Sequence, residues 1–187
     1  MTDKTSLTNQ LLIAMPSLED PNFGQSVTYI CEHNEDGAMG LIINRPMELG
    51  LGEVLNQLEI DCVDTDIANQ VVYFGGPVET ERGFILHEPV GDWESTLAVT
   101  DTLGVTSSRD ILEAIGQGVG PRRMLITLGY ASWTAGQLEQ ELADNAWFSG
   151  PADADLIFDL PIAERWEAAA RLIGVDLTMM SNDIGHA

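Results

Sequence analysis

Cysteine, histidine and arginine side chains in the first quarter of the chain are the first candidates for chemistry. Cys31 and His33 lie two residues apart in SVTYICEH, a segment whose alternation predicts a β-strand. Side chains two apart on a strand share a face, so the thiol and the imidazole are predicted to be neighbours. A histidinium at His33, or the guanidinium of Arg45, would favour the thiolate of Cys31 and make it oxidisable. The alternative is a buried cysteine that acts as a small hydrophobic residue.

Thiol and imidazole groups are also metal ligands, but the sequence offers few of them. Cys31 and Cys62 are the only cysteines, and His87 is the sole internal histidine that could join His33. A structural zinc site needs four ligands. We therefore predict no metal site and no cofactor. Two cysteines in a chain without a secretion signal also predict free thiols, not a disulfide.

The segment Gly75, Gly76 and Pro77 is the strongest backbone signal. Two glycines remove Cβ atoms and the proline fixes φ, which predicts a tight turn with another part of the chain packed against its backbone. Residues 71–74 and 83–86 flank it and are predicted to pair as a hairpin. Its N–H groups would suit an anion-binding nest, although no phosphate-loop sequence follows and a plain turn is the alternative. Polar side chains beside it are candidates to line a cleft: Glu79, Glu81, Arg82, His87 and Glu88.

The strand predicted over residues 122–130 runs into a helix that begins near Thr134, and Ser132 lies between them. A hydrolase nucleophile elbow requires glycine two residues before and after the serine. Tyr130 and Thr134 occupy those positions, so we predict no serine hydrolase. Trp133 stands at the same strand end, where binding sites collect, and is predicted to lie near a cleft.

Charge is the most unusual property of the composition. Thirty acidic residues against eight basic ones give a net charge of −22. Nucleic-acid binding requires clustered Lys and Arg, and the only adjacent basic pair is Arg122 and Arg123. We expect no direct nucleic-acid binding. Because the acids are spread along the chain, they indicate a solvated surface and not one acidic docking face.

Length and hydropathy predict a soluble protein of one domain, over residues 1–187, with residues 1–9 frayed. With 187 residues and 44% hydrophobic composition the chain can bury a full core. The first apolar run, residues 11–15, is short and has no basic flank, and no run approaches the roughly 20 residues of a membrane span. We expect a cytoplasmic location.

Strands dominate the first half of the chain, and helices alternate with strands in the second. Early hairpins favour antiparallel pairing, so we predict an α+β fold with a bent, partly barrel-like, mostly antiparallel sheet flanked by helices. A doubly wound α/β fold is the alternative, but the first hundred residues lack its crossover helices. The predicted strands are 11–15, 26–33, 38–46, 71–74, 83–86, two within 95–108, 122–130 and 154–159. The predicted helices are 51–58, 108–115, 134–145 and 161–174.

Several segments together carry a family pattern. They are LLIAMPSLEDPNFGQSVTYICEHNEDGAMGLIINRP, VYFGGPVETERGFILHEP, TSSRDILEAI, LGYASWTAGQLEQELADNAWF and PIAERWEAAARLIGVD. They resemble the AlgH/YqgE family of bacterial proteins over nearly the whole chain, from Leu11 to Ala187. The combination of YICEHN, of GGPV with RGFILH, and of GYASW is highly specific. The resemblance implies an α+β cytoplasmic protein to which a role in transcriptional regulation is attributed, without an assigned catalytic residue.

These observations converge on a predicted cleft between the Cys31 hairpin and the 75–77 loop. Our first hypothesis is a non-enzymatic regulator or binding protein that holds a small ligand or a protein partner there and affects transcription indirectly. A thiol redox sensor based on Cys31 is the alternative, and an enzyme of unidentified reaction is the third hypothesis. The candidate residues, some of them carried over from the family pattern, are Cys31, His33, Asn44, Arg45, Gly75, Gly76, Pro77, Arg82, His87, Trp133 and Gln137.

Overall fold

The structure is a computed structural model that describes residues 6–18, 20–21 and 23–175. It divides into two compact units. The first comprises residues 1–44 and 131–187, and the second comprises residues 45–130. The strands are β1 Gln10–Ala14, β2 Val27–Asn34, β3 Gly37–Ile42, β4 Pro46–Gly50, β5 Val71–Phe74, β6 Val78–Glu88, β7 Thr96–Ala98, β8 Gly104–Thr106, β9 Arg123–Thr134 and β10 Trp147–Pro151. The helices are α1 Leu51–Gln57, α2 Thr65–Ala68, α3 Arg109–Gly116, α4 Gln137–Ala143, α5 Ala154–Phe158 and α6 Arg165–Leu172, with a 3-10 turn at Ile162–Glu164.

In the first unit, five antiparallel strands lie in the order β10, β1, β2, β3 and the last four residues of β9. The predicted hairpin of β2 and β3 is confirmed, with Asn34 opposite Gly37 at the turn. Gly37 has φ +135°, and a Cβ there would overlap the carbonyl oxygen of Trp133 on β9. Glycine is therefore required where the turn meets β9.

A β-bulge interrupts β2 at Cys31. Ile30 pairs with Gly40 and Glu32 pairs with Met39, so Cys31 has no partner of its own. Such an extra residue shifts the alternation of side chains beyond it. Simple alternation along β2 therefore no longer supports the prediction that Cys31 and His33 share one face, and it stays a prediction. The bulge itself leaves no signature in the local hydrophobic pattern.

The core of the first unit is built on indole and aliphatic side chains, and two residues of α6 tie that helix to the strands. Arg165 is buried and donates from Nη1 to the carbonyl oxygen of Ile43. Trp166 donates from Nε1 to the carbonyl oxygen of Ala14 at 3.0 Å. The buried cluster beneath α4 comprises Leu12, Ala14, Ile30, Ala38, Ala131, Trp133, Leu138 and Trp147.

In the second unit, the strand order is β4, β5, β9, β6, β8 and β7. Residues 123–130 of β9 form the centre, with β5 parallel on one side and β6 antiparallel on the other. The predicted hairpin between 71–74 and 83–86 is therefore wrong. Both segments are strands, but each pairs with β9 and neither pairs with the other.

The segment Gly75 to Pro77 makes this arrangement possible by crossing over β9. A Cβ on Gly75 would overlap the carbonyl oxygen of Gly129 and would lie 2.9 Å from the side chain of Thr127. Conversely, a Cβ on Gly129, which has φ +78°, would overlap the carbonyl oxygen of Gly76. Paired glycines let the two backbones pass in contact. The predicted close packing against this backbone is confirmed, although its purpose is a crossover and not a hairpin turn.

Two amphipathic helices cover the apolar face of the second unit. Leu51, Val54 and Leu55 of α1 are buried, as are Ile111, Leu112 and Ile115 of α3. They pack with Val72, Ile85 and Ile126 from the three central strands. Both helices agree with the predicted positions to within a residue or so, because their apolar residues recur with helical spacing.

Residues 154–159 are not the predicted strand. Residues 154–158 form α5, because the Asp153 side chain accepts hydrogen bonds from the N–H groups of Asp155 and Leu156 and caps a helix. The strand of this region is β10, which the sequence pattern did not indicate. The predicted fraying also does not extend to residues 6–9, since Asn9 donates to the carbonyl oxygen of Ile30. Residues 1–5 lie outside the described residues.

The predicted α+β class with mostly antiparallel strands is confirmed, with the β5–β9 pair as the parallel exception. The single-domain organisation over residues 1–187 stays a prediction. No helix within the described ranges is long and apolar enough to cross a membrane.

Candidate functional site: a cavity in the second unit

The second unit contains a cavity of about 560 Å³. That volume falls within the range of roughly 300–1,000 Å³ typical of small-molecule sites. Its apolar wall comes from β4, α1, the segment after α1, α3 and β9, and it comprises Leu49, Val54, Leu58, Leu112, Ile126 and Leu128.

Polar side chains form the rest of the lining. They come from the end of α1, from a loop in β6 and from the start of α3. These residues are Gln57, Thr80, Glu81, Ser107, Ser108 and Arg109. An apolar wall with a few polar groups is the usual composition of a site for a small molecule.

Residues 79–82 form a broad bulge of β6 at the edge of the cavity. Val78 pairs with Tyr130 and Gly83 pairs with Leu128, so β6 advances five residues while β9 advances two. Glu79 adopts φ +46°, an uncommon backbone conformation for a residue other than glycine. The bulge lines a second, more open cavity of about 540 Å³ together with Pro77. Strained bulges occur preferentially beside binding sites.

Gly83 ends the bulge and presents bare backbone to the main cavity. A Cβ added there would meet only the carbonyl oxygen of Thr127, at 4.0 Å. Its φ lies outside the left-handed region, so a side chain would not strain the backbone. Gly83 is therefore a position where the cavity can be filled without a clash.

Ser107 and Ser108 have different hydrogen-bond environments at the start of α3. Ser107 Oγ accepts a hydrogen bond from Arg82 Nη2 at 3.3 Å. Ser108 Oγ accepts from the N–H of Ser95 at 3.0 Å and donates to Asp110 Oδ1. The hydrogen bond from Ser108 Oγ is the main cause that holds the pKa of Asp110 below its usual value. The backbone N–H groups of Glu94 and of the first residues of α3 lower it further. Ser108 is the N-cap residue that precedes α3.

Arg82 lies beside the cavity on the same bulge. Its Nη1 is 3.6 Å from Glu79 Oε2, and its guanidinium carbon is 5.3 Å from the centre of the Phe84 ring. Together with Pro77 it lines the second cavity. Of the polar side chains next to the Gly75–Gly76–Pro77 segment, Glu81 lines both cavities, whereas Glu79 and Arg82 line only the second.

His87 lies elsewhere in the second unit and is fully buried. Its Nδ1 is 2.9 Å from the carbonyl oxygen of Pro89, to which it donates, so Nε2 accepts from the hydroxyl of Thr106 at 2.7 Å. Burial lowers the pKa of His87 below its ordinary value, against the opposing effect of the Pro89 carbonyl. It lines neither cavity, and its role is to hold β6 to β8. Arg45 is also in this unit, where its carbonyl oxygen accepts from the N–H of Phe74.

Cys31 and His33, in the first unit, are not hydrogen-bonded to each other. Nδ1 of His33 accepts from the N–H of Leu7 at 2.9 Å, so Nε2 carries the proton and donates to Glu139 Oε1 at 3.2 Å. Cys31 Sγ lies 3.8 Å from the carbonyl oxygen of Tyr29. Burial, and secondarily the charge of Glu32, raise the pKa of the Cys31 thiol. Both effects oppose thiolate formation.

In the native protein, from pH 7 to 9, we predict that Cys31 is alkylated at least about tenfold more slowly than Cys62. The reason is that a cysteine reacts only as a thiolate, and only where the reagent can reach it. Cys62 is partly exposed and serves as the internal comparison. Iodoacetamide labelling followed by site-resolved mass spectrometry measures both rates, and both thiols should react in denaturing urea. Rapid labelling of Cys31 with an apparent pKa well below about 8.5 would contradict this and favour the redox hypothesis.

The remaining predicted site residues of the first unit make structural hydrogen bonds. Asn44 Oδ1 accepts from the N–H of Val27 at 2.9 Å, and its Nδ2 donates to the carbonyl oxygen of Gln25 at 3.0 Å. Trp133 Nε1 donates to Glu141 Oε1 at 3.0 Å, and Gln137 Nε2 donates to Glu141 Oε2 at 2.9 Å. Among Asn44, Trp133 and Gln137, the structure brings Trp133 and Gln137 together, because both donate to the carboxylate of Glu141.

Comparison with known proteins gives a consistent result. A family model described as AlgH-like matches residues 11–178. The chain belongs to the AlgH-like family. The family resemblance predicted from the sequence motifs is thus confirmed. Among relatives, a UPF0301 protein of Thioalkalivibrio sulfidiphilus is 57% identical over 187 residues, 100% of both chains. A UPF0301 protein of Nitrosococcus oceani is 55% identical over 179 residues, 96% of both chains.

Two solved structures show the same AlgH-like fold. The solution structure of the AlgH protein from Pseudomonas aeruginosa matches with a TM-score of 0.80 and 50% identity, and the match covers 97% of this chain and 96% of that one. A crystal structure of a Corynebacterium diphtheriae protein matches with a TM-score of 0.73 and 23% identity, over 91% and 89% of the two chains. The second match supports the fold alone.

The AlgH-like motifs therefore divide between the two units. Cys31, His33, Asn44, Trp133 and Gln137 belong to the first, and Arg45, Gly75, Gly76, Pro77, Arg82 and His87 belong to the second. The Cys31 hairpin belongs to the first unit and the 75–77 segment belongs to the second, and the cleft predicted between them stays a prediction. Sequence reasoning missed the cavity of the second unit, although Ser108 and Arg109 belong to the family pattern. Within the described ranges, no group of three or more His, Cys, Asp or Glu side chains is arranged to hold a metal ion.

Proposed function

We propose that this AlgH-like protein is a non-enzymatic binding protein whose second unit holds a small molecule with an apolar body. The observation that supports it is the cavity of about 560 Å³, which is lined by six aliphatic side chains and by polar groups. Burial of a ligand's apolar surface there would supply about 25 cal/mol per Å². Any effect on transcription is then indirect and passes through the ligand or a protein partner.

The chemistry of the lining favours binding over catalysis. Among the described lining residues, Ser108 is held by Asp110 and the N–H of Ser95, and no imidazole or thiol stands beside either serine. A serine nucleophile needs an adjacent base. Ser132, weighed as a nucleophile from the sequence, lies inside β9 and not at a turn. The buried Cys31 thiol with its raised pKa gives no support to the redox alternative.

The net charge of −22 supports the indirect route to transcription. A surface with few basic residues gains little from counterion release on DNA. A salt-dependent gel shift produced by the purified protein alone would contradict this part of the proposal.

Binding is tested with N-phenyl-1-naphthylamine, a neutral apolar fluorophore whose emission rises in an apolar site. We expect saturable binding of one molecule per chain with a micromolar Kd. Gly83→Val should weaken it at least about tenfold, because Gly83 lines the cavity and an added Cβ there meets only the carbonyl oxygen of Thr127, at 4.0 Å, which leaves room for a side chain to occupy ligand space. Ser132→Val places the same side chain on an exposed strand position of the first unit and should leave the Kd unchanged.

Urea unfolding of Gly83→Val keeps this test specific. The variant should unfold at the wild-type midpoint or higher, since the Cβ added at Gly83 meets only the carbonyl oxygen of Thr127, at 4.0 Å. Absence of saturable binding by the wild type, or equal binding by Gly83→Val with its fold intact, would contradict the proposal.

A further inference from the structure

We infer that the ligand of this cavity is an aliphatic monocarboxylate, with its carboxylate held at the start of α3 and its chain against the apolar wall. This inference rests on the proposed function and names the chemical class of the ligand. Three observations carry it: the position of two arginines, the free hydrogen-bonding capacity of one serine, and a single acidic residue in the lining.

Two of the seven arginines of the chain are near the polar part of the lining, one as a lining residue and one through a hydrogen bond to a lining residue. Arg109 lines the cavity directly, and Arg82 reaches Ser107, two residues before Arg109, with a distance of 3.3 Å from Nη2 to Oγ. One guanidinium therefore lines the cavity, and a second is hydrogen-bonded to a serine that lines it. A guanidinium binds a carboxylate through two parallel N–H donors, with both charge and geometry matched.

Neither arginine is firmly engaged by its acidic neighbour. Arg82 lies 3.6 Å from Glu79, and Arg109 Nε lies 3.8 Å from Glu113 Oε1. All four side chains are about half exposed, and surface pairs of this kind contribute little. A bound carboxylate at the cavity would therefore compete for these guanidinium groups at low cost.

Ser107 supplies a further donor. Its Oγ accepts from Arg82, which leaves the hydroxyl proton available for a ligand oxygen. The neighbouring hydroxyl of Ser108 is different, because its proton goes to Asp110 and its oxygen accepts from the N–H of Ser95. Ser107 therefore binds the ligand, whereas Ser108 positions the start of α3.

Glu81 limits the charge of the ligand. It is the one carboxylate among the described lining residues, and a second negative charge on a ligand would lie in its field. Like charges at short range in a partly enclosed site repel strongly. A single carboxylate balanced by Arg82 and Arg109 is accepted, whereas a dicarboxylate or a doubly charged phosphate is disfavoured.

The apolar wall decides the body of the ligand. Leucine, isoleucine and valine side chains line it, without an aromatic ring or a buried polar group among the described lining residues. Such a surface offers dispersion contacts and no directional partner, which suits a flexible methylene chain.

The test compares three probes that share a ten-carbon chain and differ in the head group: decanoate, decanol and decyltrimethylammonium. Each is titrated in competition with N-phenyl-1-naphthylamine. We expect decanoate to bind at least about tenfold more tightly than decanol, with decyltrimethylammonium weakest. Arg109→Gln should weaken decanoate about five- to tenfold and leave decanol within about twofold.

Arg171→Gln is the matched control. Arg171 is also an exposed arginine in an i,i+4 pair with a glutamate, but it lies on α6 in the first unit. It changes the net charge equally and should leave all three affinities unchanged. Equal binding of the three probes, or an equal effect of the two arginine variants, would overturn the carboxylate inference while the proposed function stands. Failure of the fluorophore itself to bind the wild type would overturn both.

Discussion

Gly75→Ala is expected to destabilise the protein by about 3 kcal/mol or more, or to prevent folding. The added methyl group would overlap the carbonyl oxygen of Gly129 and press on the side chain of Thr127 at 2.9 Å. Both neighbours belong to the central strand of the second unit, so neither can move without disturbing the pairing with β5 and β6. The free energy of unfolding from urea titration, followed by circular dichroism, measures the effect.

Gly83→Ala is the matched control for this experiment. It removes the same glycine freedom from the unfolded chain, but its Cβ meets only one atom, at 4.0 Å. We expect it to be neutral or up to about 1 kcal/mol more stable than the wild type. If both variants had the same stability, the crossover of the 75–77 segment over β9 would be contradicted.

Glu141→Ala is expected to cost about 3 kcal/mol. Glu141 Oε1 accepts from the indole N–H groups of Trp133 at 3.0 Å and of Trp147 at 2.9 Å, and both rings are at most 5% exposed. The two rings also pack edge to face, with centroids 6.3 Å apart. Removing the carboxylate leaves both buried donors without an acceptor, which costs roughly 1–3 kcal/mol each.

Glu141→Gln separates this hydrogen bonding from general packing. The amide oxygen can still accept from both indoles, so we expect a loss of only about 1 kcal/mol. Urea unfolding gives the stabilities, and tryptophan emission should shift to the red in Glu141→Ala alone. Equal losses for the two substitutions would show that the indole hydrogen bonds are not what stabilises this cluster.

Local sequence signals predicted most of the elements. Residues 71–74 were predicted as a strand and form β5, because a short run of Val, Tyr and Phe ends at two glycines. The partner of that strand was not predictable from such a run. The chain crosses β9 through contacts between Gly75, Gly76 and Gly129, and residues so far apart in the chain carry no shared local pattern.

The candidate site was predicted less well, for physical reasons that particular residues illustrate. The bulge at Cys31 breaks the alternation on which its pairing with His33 was argued. The bulge at 79–82 creates the polar edge of the cavity, yet Glu79 at φ +46° looks like an ordinary residue in the sequence. Arg82 was predicted as a site residue on its family pattern, but its contact with Ser107 depends on tertiary structure.

NMR shows directly whether the cavity of the second unit binds a small apolar molecule. Amide resonances of the 15N-labelled protein are followed while N-phenyl-1-naphthylamine is added. We expect the largest shifts on residues around the cavity, among them Gly83, Ser107 and Leu112. Shifts confined to other residues, with these three unchanged at saturation, would contradict it.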